Sequence, residues 1–188
     1  MCNDLIDCIS SFCGIPSYVL ILTIIIFVVF LFAGFQFIKG KNRLFFLASL
    51  SLFLYIALVF FSAVLFRPKM NDHQYHFELF WSYSKILEGE KYLLRDDVQN
   101  IILFVPIGFL LRVVMQSNNI LVVFLFACLF SSCIELSQYY GWKGVAETDD
   151  ILHNSIGCLL GYYLCLMCIY IWSYFLKYFR NQYIKDIS

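Results

Sequence analysis

Runs of nearly unbroken hydrocarbon constrain this chain more than any other feature. A helix needs about 20 predominantly apolar residues to cross the hydrocarbon core of a bilayer. Five stretches approach or exceed that length: residues 17–38, 44–66, 98–115, 120–138 and 151–176. The first, SYVLILTIIIFVVFLFAGFQFI, is entered through Pro16 and closed by KGKNR; the second ends at RPK, and the third is interrupted by Pro106. A soluble domain of 188 residues could not conceal 62% hydrophobic residues against 14% charged ones, since charged residues ordinarily make up about a quarter of a globular chain. The expected fold is all-α, a polytopic membrane helix bundle with five transmembrane helices forming one small domain.

The formal net charge of +0 leaves no global basic field, so nucleic acid is not an expected partner. The first run is too long, and lacks the basic flank and small-residue cleavage site, for a secretory signal peptide. The cysteine of MCND precedes the apolar run, so a lipoprotein signal is not expected either. Of the eight cysteines, Cys128, Cys133, Cys158, Cys165 and Cys168 lie in apolar runs, where thiols act as small hydrophobes. The C-x-x-C at 165–168 falls inside a spanning helix with no βαβ context. Cys2, Cys8 and Cys13 leave an odd number, so no closed disulfide framework follows.

Lys and Arg in short loops set orientation. Lys39, Lys41, Arg43, Arg112, Lys177, Arg180 and Lys185 all fall on one face if five spans are right, while the opposite face holds most of the acids. The expectation is an amino terminus outside and a carboxyl terminus in the cytoplasm, with residues 177–188 as a cytoplasmic tail. The link over residues 67–97 is long for a small bundle. Its FELFWSY mixes aromatics with polar residues and should lie along the headgroups, either as an anchor or as a lid over a site.

Parity places three polar groups at one depth. Asp96, Asp97 and Asn100 stand where the third span enters, Glu135 and Gln138 where the fourth leaves, and Asp149, Asp150, His153 and Asn154 where the fifth re-enters. Glu135 and Gln138 are i, i+3 and share a helix face, as do Asp150 and Asn154 at i, i+4. Gly157 and Gly161 continue that stripe, and small-xxx-small patterns permit close helix approach. At 1.5 Å per residue Glu135 lies about 5 Å below Gln138, near the membrane margin. A carboxylate at the bilayer centre costs roughly 2.5–3.5 kcal/mol and less at the margin, so Glu135 should face protein or a wet crevice. The candidate binding residues are Asn100, Glu135, Gln138, Asp149, Asp150 and Asn154, with no catalytic role assigned.

Each group has a plain structural use. Glu135 and Gln138 can serve as hydrogen-bond glue, Asp149 and Asp150 as a helix cap, and Pro106 with Gly108 as a kink. No metal and no cofactor is assigned. His73 and His76 make an H-x-x-H of low specificity. Glu135, Asp150 and His153 offer a second donor set, although His153 need not face the same way as Asp150.

The segments NIILFVPIGFLL (100–111), IELSQ (134–138) and DDILHNSIGCLLGY (149–162) resemble the Asn…Phe-x-Pro-x-Gly, Glu-x-x-Gln and Asp-Asp…Asn-x-x-Gly…Gly signatures of the VanZ-like family of bacterial membrane proteins. The likeness covers roughly residues 44–176 and leaves residues 1–43, with their additional span, as an amino-terminal segment. It points to Asn100, Pro106, Gly108, Glu135, Gln138, Asp149, Asp150, Asn154 and Gly157. The family often carries an Arg shortly before the paired Asp; here only Lys143 stands there, and Lys lacks the bidentate fork. The resemblance implies a protein of the cell envelope, in a family whose founding member is associated with low-level teicoplanin resistance.

The expected function is binding of an envelope or lipid-linked cell-wall component in a polar pocket at the outer margin, with the lipid bilayer as a further partner. Alternatives are an intramembrane enzyme acting on a lipid headgroup, with Glu135 or Asp150 as general base, and a purely structural subunit. A transporter is disfavoured because the inner halves of the helices are almost purely apolar.

Overall fold

In the computed structural model, residues 41–67, 69–115 and 119–187 are described, with side chains placed for those between 45 and 180. The run at 17–38 lies outside them. Five α-helices and two short strands follow in order: α1 Lys41–Phe60, β1 Gln74–His76, α2 Trp81–Leu87, α3 Tyr92–Met115, α4 Ile120–Gly141, β2 Val145–Glu147 and α5 Thr148–Ile187. A π-turn, Phe61–Leu65, extends α1.

Four of these helices are long and apolar enough to cross a membrane: Phe45–Leu65, Tyr92–Met115, Ile120–Gly141 and Thr148–Arg180. Only 22–33% of their most apolar windows is buried within the protein. Phe53, Leu129, Leu160 and Trp172 are among the large side chains left on the outside. In water, that surface would cost roughly 25 cal/mol per Å²; in hydrocarbon it is at home. The protein is therefore an all-α, multi-pass membrane protein, with the five-span count resting on a run the structure does not describe. Hydroxyls within the apolar helices bond back along their own turn, Ser49 to Phe45 O, Ser51 to Leu47 O and Ser155 to Ile151 O, so few polar groups face lipid unsatisfied.

α5 is the central element: it packs along α3 and also against α4, while α1 lies on the other side of α3. Glycine makes the α3–α5 contact possible. A Cβ at Gly157 would overlap the carbonyl oxygen of Ile101, one at Gly161 that of Val105, and one at Gly108 that of Cys158. The stripe that continues Asp150 and Asn154 is thus the face α5 turns to its neighbour. Phe104, Ile107, Val123, Ala127 and Cys158 close the core below that level.

Boundaries differ from expectation at both ends of the bundle. α3 begins at Tyr92, six residues before the apolar run, so Asp96, Asp97 and Asn100 stand on its first turns rather than at a loop mouth. α5 runs on to Ile187, so the tail continues the helix. At 1.5 Å per residue, α5 is about twice as long as the roughly 30 Å hydrocarbon layer.

The link over residues 67–91 folds over the ends of α3, α4 and α5. β1 pairs in parallel with β2, Tyr75 opposite Ala146, and Met70 N donates to Trp142 O at 2.6 Å. These three-residue strands have no sequence signal of their own. Partner geometry, not propensity, creates them.

Candidate functional site

Helix ends at this end of the bundle line a cavity of about 600 Å³. α3 contributes Arg95, Gln99 and Asn100, α4 contributes Glu135 and Gln138, and α5 contributes Asp150 and Asn154. The end of α1 adds Tyr55, Ser62 and Arg67. Five of the six sequence-derived binding residues therefore line one cavity; Asp149 does not.

Each lining group is held differently. Asn100 Nδ2 donates to Asp150 Oδ1 at 2.7 Å, which joins α3 to α5. Glu135 is buried, and its Oε2 accepts the backbone N–H of Glu147 at 3.0 Å, tying α4 to β2. Gln138 donates through Nε2 to Ala63 O in the π-turn at 3.1 Å, while its buried Oε1 has no hydrogen-bond partner among the described residues. Asn154 donates to Ser131 Oγ at 2.8 Å, and its Oδ1 is likewise buried without a partner. Orphaned buried polar atoms cost roughly 1–3 kcal/mol each. Two of them on residues lining one cavity are acceptors for which the described residues supply no donor.

Pro106 also lines the cavity. It leaves α3 continuous but has no N–H for the Ile102 carbonyl one turn back, and Tyr55 donates to the adjacent Leu103 carbonyl at 3.0 Å. Gly144 has a comparable use. A Cβ there would come within 2.9 Å of Arg67 Nη1 and 3.2 Å of Gln138 Oε1, so its absence lets guanidinium and amide approach the loop.

Asp149 has another task. Its carboxylate accepts Phe80 N–H at 2.6 Å, Ser82 N–H at 2.9 Å and the Ser82 hydroxyl at 3.0 Å. α2 has no side-chain cap of its own, and Phe80 before it is left-handed at φ 65°. A carboxylate from the first turn of α5 thus supplies the cap for α2. The capping use weighed from sequence holds for this residue, with the difference that the capped helix is a remote one.

Lys143, the residue standing near the family's Arg position, donates to Leu65 O at 2.7 Å and helps close the cap. The guanidinium groups at the cavity come instead from Arg67 and Arg95. Glu147, on β2 outside the spanning segments, has its pKa pushed up to about 7 by burial and by the charges of Asp150, Asp149 and Asp97, with Arg67 opposing. Burial and the same Asp97 and Asp149 charges raise the Tyr83 hydroxyl above its ordinary value.

The donor sets weighed from sequence rearrange. His73 bonds Tyr139 O at 2.9 Å, whereas His76 stacks on Trp81 with centroids 3.7 Å apart, so the two engage different partners. His153 faces Asp97 and Asp150 rather than Glu135, and donor atoms of these three lie within 4.8 Å of one another. His153 Nε2 meets the Tyr83 hydroxyl at 2.9 Å, and its Nδ1 stands 3.5 Å from Asp97 Oδ1. Asp97 joins Asp150 and His153 through helix phase across two chain segments, which spacing within either segment does not reveal. Tyr83 carried no signal beyond its amphipathic neighbourhood. The five cysteines of the described apolar segments are all free.

Comparison with known proteins places the chain in a family. The family model described as VanZ/LLP1 matches residues 17–172. That match takes in the run at 17–38, which the motifs alone leave outside the shared part. Protein VanZ of Enterococcus faecium is 31% identical over 67 residues, 36% of this chain and 42% of that protein. The chain thus spans under half the length of this curated relative. No solved structure matches the chain.

Proposed function

The chain belongs to the VanZ/LLP1 family, and from that premise we propose that its cavity binds the polar head of an envelope lipid or a lipid-linked cell-wall component. The observation that carries this reading is the lining itself: orphaned acceptors on Gln138 and Asn154, carboxylates of Glu135 and Asp150, and the guanidinium groups of Arg67 and Arg95, all at one end of an apolar bundle. A headgroup with hydroxyl or amide donors and a phosphate matches both charges, and a bilayer presents such heads at that depth. The cavity end faces outward in this reading, with the carboxyl terminus cytoplasmic. Sequestering or presenting a cell-wall precursor would alter glycopeptide susceptibility, teicoplanin included.

An enzyme acting on the headgroup is the second reading, favoured by Asp150, whose carboxylate lines the cavity. Glu135 and Asp150 each keep one carboxylate oxygen outside the hydrogen bonds to Glu147 N–H and the Asn100 amide. The apolar floor of Phe104, Ile107 and Val123 argues against a continuous path through the described residues.

The test is Arg95→Ala and Glu135→Gln, with protein level in the membrane and teicoplanin sensitivity measured together. Normal level with sensitivity shifted to that of cells lacking the protein supports a binding site. Normal level with unchanged sensitivity in both variants contradicts it, and loss of protein places the residues in the scaffold.

A further inference from the structure

We propose that Asp97, Asp150 and His153 hold a divalent transition-metal ion of the zinc class at the edge of the cavity. The donors come from two helices locked together by the glycine contacts of α3 and α5, so their placement does not depend on a mobile loop. His153 is fully buried and Asp97 is 6% exposed. Even so, His153 Nδ1 and Asp97 Oδ2 have no hydrogen-bond partner among the described residues. Two buried polar atoms left without partners on neighbouring members of one donor cluster are a cost that an ion can remove.

Geometry and donor type narrow the ion. His153 Nδ1 and Asp97 Oδ1 stand 3.5 Å apart, longer than a formed hydrogen bond of roughly 2.7–3.2 Å. Two ligands bound at about 2.0–2.1 Å with tetrahedral angles lie about 3.4 Å apart. An imidazole beside two carboxylates suits zinc or a neighbouring transition metal, whereas calcium and magnesium favour oxygen alone. Outer partners are already present: the Tyr83 hydroxyl on His153 Nε2 and the Asn100 amide on Asp150 Oδ1. Such contacts fix ring orientation and carboxylate direction at metal sites. Metal binding through Nδ1 requires the tautomer with its N–H at Nε2, which the Tyr83 hydroxyl stands close enough to accept.

Charge points the same way. Asp97, Glu147, Asp149 and Asp150 crowd one another, with Arg67 as the opposing cation. Three protein ligands leave a coordination position open, as in catalytic zinc sites. Because Asp150 lines the cavity, that position is reachable from it. The ion would offer a Lewis-acidic contact to a phosphate or carbonyl oxygen there. Metal binding itself does not depend on what the cavity holds.

The full chain, purified in detergent and stripped with chelator, is titrated with Zn²⁺, Mn²⁺ or Mg²⁺, and metal content and thermal unfolding are followed. The expected result is one Zn²⁺ or Mn²⁺ per chain, with the unfolding midpoint raised by roughly 5 °C or more at saturating ion. Asp97→Asn and His153→Gln should lose both effects, whereas Asp96→Asn, on the same turn but exposed, should keep them. No binding by the unaltered protein, binding of Mg²⁺ alone, or equal binding by the two variants would overturn the assignment. Should the variants fail to accumulate, Co²⁺ bound to the unaltered protein decides. A tetrahedral or five-coordinate spectrum supports the site, and an octahedral one contradicts it.

Discussion

Asp149 and Asp150 are neighbours in sequence with opposite duties. Their separation illustrates how much a single helical step decides. Asp150 turns to Asn100 and the cavity, whereas Asp149 turns to the backbone of α2. Replacing Asp149 with Ala would leave the two Ser82 donors unsatisfied at a buried site and remove the acceptor of the part-buried Phe80 N–H. Stability should fall by roughly 2–3 kcal/mol, read as a lower unfolding midpoint in detergent, while the cavity residues stay in place. Glu147 gives a pH dependence. Its folded pKa of about 7 stands above the ordinary 4.5, so the fold favours the protonated form. The stability it contributes is present below about pH 4.5 and is lost as pH rises through about 7. In chelator-treated protein, Glu147→Gln should flatten the decline between those values and raise the unfolding midpoint at pH 8. An unchanged pH profile would contradict the assignment.

At the scale of elements, the packing of α3 on α5 depends on hydrogen in place of a methyl group. Gly161→Leu should drive α5 away from the Val105 carbonyl and prevent the protein from accumulating. Gly157→Ala should also destabilise, even though alanine is favoured over glycine by about 1 kcal/mol in a helix. Gly141→Ala is the control, since a Cβ there meets only the flexible Lys143 side chain at 3.6 Å. Western blotting of membranes reads all three. Much of this level was legible beforehand, because hydrophobic length and the GxxxG stripe are local signals. β1, β2 and the Asp149 cap were not, since each depends on a partner about 70 residues away. Asp97 and His153 were legible in depth but not in direction, for the same reason. The early start of α3 escaped because YLLRDD is charged yet helical, and hydropathy alone marks where hydrocarbon begins, not where a helix does.

For the molecule as a whole, the described residues of an apolar bundle carry a polar-lined cavity at one end. The most direct test labels that end chemically. In a background with native cysteines replaced, Gln99→Cys lines the cavity, whereas Ile107→Cys is fully buried and outside its lining. A membrane-impermeant, positively charged thiosulfonate is applied to intact cells and then to permeabilised ones. Rapid modification of Gln99→Cys in intact cells is expected, and none of Ile107→Cys. Reaction only after permeabilisation would reverse the orientation but keep the recess. Failure of Gln99→Cys to react under either condition, or reaction of both positions alike, would contradict the existence of a water-filled polar cavity at this end.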